Sequence, residues 1–198
     1  MRFLDAKETA AITGTDRYAG SMVDDRGGDL HPLSYARGLA AAAMQRGARV
    51  FGSSPATSLK QEGALWRVTT PKGSVLAEQV VLATNGYTDG LWPQLRETVV
   101  PVYSSIAATA PLPDDVVRGI LPRRGSLYEA GIVTVYYRVD QANRLLMGCR
   151  GPQKPITDTS PIRYLMDYAE RLWPQLRGAA WTHGWNGQIA ATKDYYPH

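Results

Sequence analysis

The side chains of this sequence that can do chemistry are few, and their spacing disfavours the common metal-dependent and hydrolytic sites. The histidines, His31, His183 and His198, are far apart and the single Cys149 has no partner thiol, so the sequence has no zinc-type ligand spacing. Neither the Gly-x-Ser-x-Gly element of serine hydrolases nor the Gly-x-x-x-x-Gly-Lys-Ser/Thr loop of nucleotide hydrolases occurs. We predict no metal site, and the residues alone assign no catalytic side chain.

A further candidate is a turn that follows an apolar run and contains glycine. Val80–Ala83 is a continuous apolar run, which predicts a strand buried on both faces of a parallel sheet, and Thr84-Asn85-Gly86 follows it. A strand end that turns through glycine lets backbone N–H groups approach an anion closely. A plain structural turn is the alternative interpretation.

Helix and turn signals give the framework of the first half. A short helix is predicted over Ala6–Thr13. A second helix begins at Pro32 and ends before Gly47, because proline suits the first turn and glycine the position just after the end. His31, before that proline, has two interpretations, a packing or capping residue and a catalyst. Further strands are predicted over Ala48–Phe51 and, as a hairpin, over Leu65–Thr70 and Ser74–Ala77.

The pattern of the second half of the sequence predicts an antiparallel sheet with helices. Its elements are strands over Val99–Thr109, Ile132–Val139, Arg144–Cys149 and Trp181–Gln188, a helix over Asp114–Leu121 and a helix that begins at Ser160-Pro161. Side chains alternate along a strand, so Tyr136 and Arg138 share one face. Either of the tyrosines 136 and 137 could face a pocket or fill the sheet core.

Composition and charge narrow the class of protein. The chain has 198 residues, of which 44% are hydrophobic and 20% charged, as in ordinary globular proteins. The net charge of +4 is dispersed, and Arg123-Arg124 is the only adjacent basic pair, so nucleic-acid binding is not expected. No apolar run approaches the roughly 20 residues that cross a bilayer. We expect a cytoplasmic protein with no membrane contact, since no signal peptide is visible and the lone cysteine fits a reducing compartment.

The order of these elements resembles the D-amino-acid-oxidase-like superfamily of FAD-dependent oxidoreductases, and in particular its bacterial gamma-glutamylputrescine oxidases, from about Leu4 to Pro197. In the first half the resemblance is carried by Gly28-Asp29-Leu30-His31-Pro32 and by Val80-Val81-Leu82-Ala83-Thr84-Asn85-Gly86. In the second half it is carried by Tyr136-Tyr137-Arg138, by Arg144-Leu145-Leu146-Met147-Gly148, and by Trp185-Asn186-Gly187 followed by Thr192, Asp194 and Pro197.

The resemblance implies FAD as the cofactor. It places cofactor contacts at Ala56 (with Thr57 as the alternative), Ala83, Thr84, Asn85, Gly86 and Thr192. The Gly-x-Gly-x-x-Gly turn that holds the pyrophosphate of FAD in this family is absent from the sequence. So are the strand and helix that follow Pro197 in the family. We therefore expect an interior fragment that does not hold FAD tightly by itself.

The resemblance also implies a reaction, the oxidation of a small amine or amino acid to an imine, with oxygen as the acceptor. Tyr137 and Arg138 are the implied substrate-binding residues. Arg138 has two interpretations, a bidentate partner for a substrate carboxylate and a structural salt bridge. The alternative function is a truncated, non-catalytic fragment or isolated domain that folds without FAD. Self-association through an exposed sheet edge or apolar face is a further expectation.

The expected fold is α/β plus α+β, in which an incomplete Rossmann-like FAD-binding domain is joined to an antiparallel-sheet substrate domain with helices. Residues 1–28 lead into the substrate domain. Residues 29–98 form the partial FAD-binding domain, 99–187 the substrate domain, and 188–198 return toward the FAD-binding domain.

Overall fold

The computed structural model describes residues 1–131 and 134–194, beginning with a strand–helix–strand segment. Strand β1 (Arg2–Asp5) pairs antiparallel with β2 (Gly20–Val23), and neither strand was predicted. Helix α1 (Ala6–Thr13) follows β1 in sequence and has the predicted bounds. Asp5 and Glu8 form a reciprocal capping box at the start of α1. Gly14 ends the helix with φ +75°, a left-handed conformation that favours glycine.

The next segment contains one helix and a small antiparallel sheet. Helix α2 (Pro32–Gln45) begins as predicted, and His31 is its N-cap, because its Nδ1 accepts a hydrogen bond from the Ser34 N–H at 3.2 Å. The sheet has the order β3 (Ser58–Glu62), β4 (Leu65–Thr70), β5 (Gly73–Ala77). The predicted hairpin is confirmed as β4 and β5, whereas β3 was not predicted.

Two predicted strands are wrong. Residues 48–51 and 80–83 form no strand in the structure. Val81 is 87% exposed, so the expected burial on both faces is wrong as well. An apolar run becomes a buried parallel strand only where strands flank it, and none of the described strands pairs with residues 80–83.

The largest sheet has five strands. Its members are β6 (Val99–Thr109), β7 (Leu127–Tyr128), β8 (Val135–Val139), β9 (Leu145–Arg150) and β10 (Trp181–Thr192), in the order β10-β6-β9-β8-β7. The prediction of β6 is confirmed. The predicted strand that contains β8 began at Ile132, which lies outside the described residues together with Val133.

Two helices accompany this sheet, and both differ from prediction at one end. Helix α3 (Asp114–Arg118) stops before Leu121, because Gly119 caps it and Leu121 adopts φ +47°. Helix α4 (Arg163–Leu172) begins after a 3-10 turn over Ser160–Ile162.

The core lies between one face of the large sheet and α4. Tyr137, Met147 and Cys149 come from the sheet, and Leu165 and Ala169 come from α4. The rings of Tyr137 and Trp173 meet edge-on, with centroids 5.0 Å apart. The opposite face of the sheet, which includes Tyr136 and Arg138, lies outside this core.

The described chain divides into two compact units, which differ sharply in burial. The first unit contains Met1–Asp29 and Val102–Gly187, and the second contains Leu30–Pro101 and the chain from Gln188 onward. The hydrophobic core belongs to the first unit. Among the described residues of the second unit, Gly86 alone is buried. In the part of the chain that the structure describes, none of the helices has the length and apolarity needed to cross a membrane.

Candidate functional site

The turn after residues 80–83 is fixed by its own side chains. Asn85–Tyr87 is a short 3-10 turn, and Asn85 adopts φ +47°. The Asn85 side-chain oxygen accepts a hydrogen bond from the Gly86 N–H at 2.7 Å. The Thr84 and Thr88 hydroxyls are 2.7 Å apart and close the turn. Of the backbone groups predicted to face an anion, the N–H of Gly86 is therefore already paired.

The same turn is clamped to the second half of β10. The Ala190 N–H donates to the Asn85 side-chain oxygen at 2.7 Å, and the Gln188 N–H donates to the Tyr87 hydroxyl at 3.2 Å. A Cβ on Gly86 would lie 2.7 Å from the carbonyl carbon of Gln188. Glycine is needed here for close approach of two backbones. The structure thus joins two regions predicted to contact the cofactor, the Asn85-Gly86 turn and the strand that ends at Thr192.

The remaining predicted cofactor residues lie in the same unit. Ala83 and Thr84 are exposed just before the turn, and Thr192 is half-buried at the end of β10. Ala56 is half-buried in the loop before β3. Next to it, the N–H and the hydroxyl of Thr57 both donate to the Thr69 carbonyl, at 2.8 and 3.2 Å. The donors of Thr57 are therefore committed to β4, which favours Ala56 over Thr57 as a ligand contact.

Strand β8 separates the two tyrosines predicted from the sequence. Tyr137 is 2% exposed and packs in the core against Trp173, so its ring lies on the α4 side of the sheet. Its hydroxyl bonds the hydroxyl of Tyr18, which also donates to the Glu129 carboxylate. Burial raises the pKa of Tyr137, and the hydrogen bond to Tyr18 partly opposes that rise. The structure places Tyr137 in a buried network rather than on an open surface.

Tyr136 and Arg138 lie on the other face, which we call the open face of the large sheet. The cross-strand register sets Tyr136 opposite Gly148 and Arg138 opposite Leu146, and Tyr128 is opposite Tyr136 on the neighbouring strand. Tyr128 is 71% exposed. Strand alternation alone indicated that Tyr136 accompanies Arg138, but it did not indicate which face contains the core.

Arg138 has a carboxylate partner that the sequence analysis did not identify. Its Nη1 donates to Asp29 Oδ2 at 3.0 Å, and the two side chains are 20% and 34% exposed. The pair joins the end of the N-terminal segment to β8. No spacing rule connects residues 109 positions apart, so only the fold reveals this contact.

Other candidate features are structural. Cys149 is buried in the core, and burial raises the pKa of its thiol, which makes it a poor nucleophile. Among the described residues, no group of three or more His, Cys, Asp or Glu side chains could hold a metal ion. Asn186, within the predicted Trp185–Gly187 motif, bonds the backbone of Lys154 and Ile156 and so fastens a loop.

Comparison with known proteins gives one family. The sequence model of the DAO family, described as "FAD dependent oxidoreductase", matches residues 1–198. The chain is 31% identical to gamma-glutamylputrescine oxidoreductase of Escherichia coli and 31% identical to the probable oxidoreductase OrdL of Haemophilus influenzae. Each alignment covers 100% of this chain and 46% of the relative, so the chain spans about half the length of these relatives.

Solved structures show the same fold. Glycine oxidase from Geobacillus kaustophilus superposes with a TM-score of 0.80 at 22% identity, over 100% of this chain and 53% of that one. L-Proline dehydrogenase from P. horikoshii superposes with a TM-score of 0.79 at 16% identity, over 99% of this chain and 54% of that one.

Proposed function

Because the chain belongs to the DAO family of FAD-dependent oxidoreductases, we propose that the whole protein oxidises a small amine or amino acid to an imine, with oxygen as the acceptor. We base the choice of substrate on the open face of the large sheet. Tyr136, Tyr128 and Arg138 lie next to one another on this face, outside the core. The names of the relatives, gamma-glutamylputrescine oxidoreductase and glycine oxidase, support an amine.

We propose that Ala56, Ala83, Thr84, Asn85, Gly86 and Thr192 contact the FAD. The residues around the Asn85-Gly86 turn are suited to contact FAD, because their small and polar side chains are exposed. Hydrogen bonding to β10 holds the backbone of this turn in place. Gly86 contributes by letting the turn approach Gln188, since its own N–H is paired with Asn85. When bound, FAD supplies the acceptor for the hydride that leaves the carbon next to the amine nitrogen.

The open face supplies binding and orientation. The Tyr136 phenol is half-buried, and burial raises its pKa, so it stays protonated and neutral at physiological pH. A neutral aromatic surface with a hydroxyl group suits an uncharged amine, which can pack on the ring and bond to the hydroxyl. We assign no general base. Tyr136 replaces Tyr137 in this role, because Tyr137 lies in the core on the other side of the sheet.

Arg138 is the proposed contact for the distal end of the substrate. A guanidinium has five N–H donors, and one is given to Asp29. A substrate carboxylate can therefore share Arg138 with Asp29, at an electrostatic cost from the second negative charge. A substrate whose distal group has both a carboxylate and a positive charge suits this pair best. Its carboxylate can bond to Arg138, and its positive charge is attracted by Asp29. A substrate with a carboxylate alone lacks the second attraction.

The test uses the whole protein with FAD bound. Polyamines, gamma-glutamyl amines and amino acids are mixed with it in the absence of oxygen, and bleaching of the flavin absorbance is followed. We expect bleaching by at least one amine. If a nicotinamide cofactor bleaches the flavin rapidly and no amine does, the protein belongs to another class of oxidoreductase.

The second candidate function is a non-catalytic fragment that folds without FAD. The observation that favours it for the 198-residue chain alone is the second unit, where Gly86 is the one described residue that is buried. A unit with so little core gains little stability of its own. The second candidate is tested on the 198-residue chain alone, which should fold and show no flavin absorbance after purification.

A further inference from the structure

One side chain of the open face lies across three strands. Tyr136 is on β8, it faces Gly148 on β9 in register, and its hydroxyl is hydrogen-bonded to the Ser104 hydroxyl on β6. In the sheet, β9 lies between β8 and β6. The Tyr136 ring therefore spans the middle strand at the position of Gly148.

The contact with Gly148 leaves no room for a Cβ at this position while the Tyr136 ring stays where it is. A Cβ at this position would lie 2.0 Å from Cε2 of Tyr136, 2.4 Å from Cζ and 2.7 Å from Cδ2. These distances are far below van der Waals contact, about 3.5–4.0 Å between carbon atoms. Atoms of the Tyr136 ring therefore occupy the place that a side chain at position 148 would take.

The contact with Ser104 fixes the other end of the ring. Ser104 belongs to β6 and is paired in register with Arg150, so its position is set by the sheet rather than by a loop. The hydrogen bond to Ser104 lowers the pKa of the Tyr136 phenol and partly offsets the rise caused by burial. Ser104 thus fixes the hydroxyl in place and also favours its ionised form.

We propose that Gly148 and Ser104 are positioning residues for Tyr136. Gly148 allows the ring to lie over β9, and Ser104 anchors the hydroxyl, so that the ring has a fixed position on the open face. This inference rests on the proposed function, which places the amine on that face. A side chain at position 148 would lift the ring away from the sheet and take up the space that the substrate needs.

The first experiment measures the geometry in the 198-residue chain, without substrate or flavin. Tyrosine is labelled with 13C at Cζ, and the Tyr136→Phe variant identifies the Tyr136 NMR signal. Ser104→Ala should move that signal at neutral pH, because the Tyr136 hydroxyl loses its hydrogen bond to Ser104. Gly148→Ala should move the signal.

The matched control is Gly125→Ala, since a Cβ on Gly125 meets no atom within 4 Å. It should leave the Tyr136 signal unchanged. Where Gly148→Ala does not fold, the double variant Tyr136→Ala/Gly148→Ala should fold, because the clashing ring is gone. The inference is overturned if Ser104→Ala leaves the Tyr136 signal unchanged, or if Gly148→Ala folds with the Tyr136 signal in place.

The second experiment measures catalysis in the whole protein with FAD bound. Gly148→Ala and Ser104→Ala should each raise the KM for the amine by roughly tenfold. The flavin spectrum should stay unchanged, and Gly125→Ala should behave as wild type. If no amine is oxidised by wild type, the proposed function fails while the NMR result stands. If wild type oxidises an amine and both variants keep its KM and kcat, the positioning role is overturned.

Discussion

The substitution Gly86→Ala tests the junction between the predicted cofactor turn and β10. The added Cβ would lie 2.7–2.8 Å from the backbone and Cβ of Gln188, so the turn and the strand must separate. Two hydrogen bonds then open, from the Ala190 N–H to Asn85 and from the Gln188 N–H to Tyr87. Each is worth about 1 kcal/mol, so the local free energy of opening should fall by about 2 kcal/mol.

Amide hydrogen exchange measures this loss directly. A fall of about 2 kcal/mol corresponds to roughly 30-fold faster exchange at Gln188 and Ala190. The matched control is Gly90→Ala, because a Cβ on Gly90 meets no atom within 4 Å. In the whole protein, Gly86→Ala should also weaken the binding of FAD. Unchanged protection at Ala190 in the Gly86→Ala chain would show that Gly86 is not needed for the contact between the turn and β10.

Three further predictions concern the 198-residue chain. Purified without added cofactor, it should show no stoichiometric flavin band in its visible spectrum, because the glycine turn for the pyrophosphate is absent from the sequence. Amides of Tyr136–Val139 should exchange more slowly than those of 80–83, which belong to no strand; faster exchange in Tyr136–Val139 would contradict the domain assignment. Stability should fall as the pH rises above about 10, since burial raises the pKa of Tyr137 and the unfolded chain loses that proton first. Tyr137→Phe should flatten this decline in a denaturant titration.

Local signals predicted the places of helices α1 to α4, but they did not predict β1, β2, β3 and β7. Asp5 and Gly14 bracket α1 with a capping box and a left-handed glycine, which are both determined by neighbours in the sequence. Pro32 marks the start of α2 for the same reason. The resemblance to the FAD-dependent oxidoreductases is confirmed by the family match over residues 1–198.

Long-range features could not be predicted in the same way. Residues 80–83 have the pattern of a buried strand, but a strand needs partners, and the described chain provides none for them. Side chains alternate along a strand, so Tyr136 and Arg138 lie on one face and Tyr137 lies on the other. This alternation does not show which of the two faces packs in the core. The contacts from Arg138 to Asp29 and from Tyr136 to Gly148 and Ser104 depend on register and chain crossing.

The proposed amine oxidation is tested most directly by the transfer of hydrogen from the substrate to the flavin. The whole protein with FAD bound is mixed without oxygen with the amine that bleaches it fastest, and then with the same amine deuterated at the carbon next to nitrogen. We expect both amines to bleach the flavin and the deuterated one to do so more slowly, since that C–H bond breaks. Flavin that keeps its colour with every amine and loses it with a nicotinamide cofactor would contradict the account.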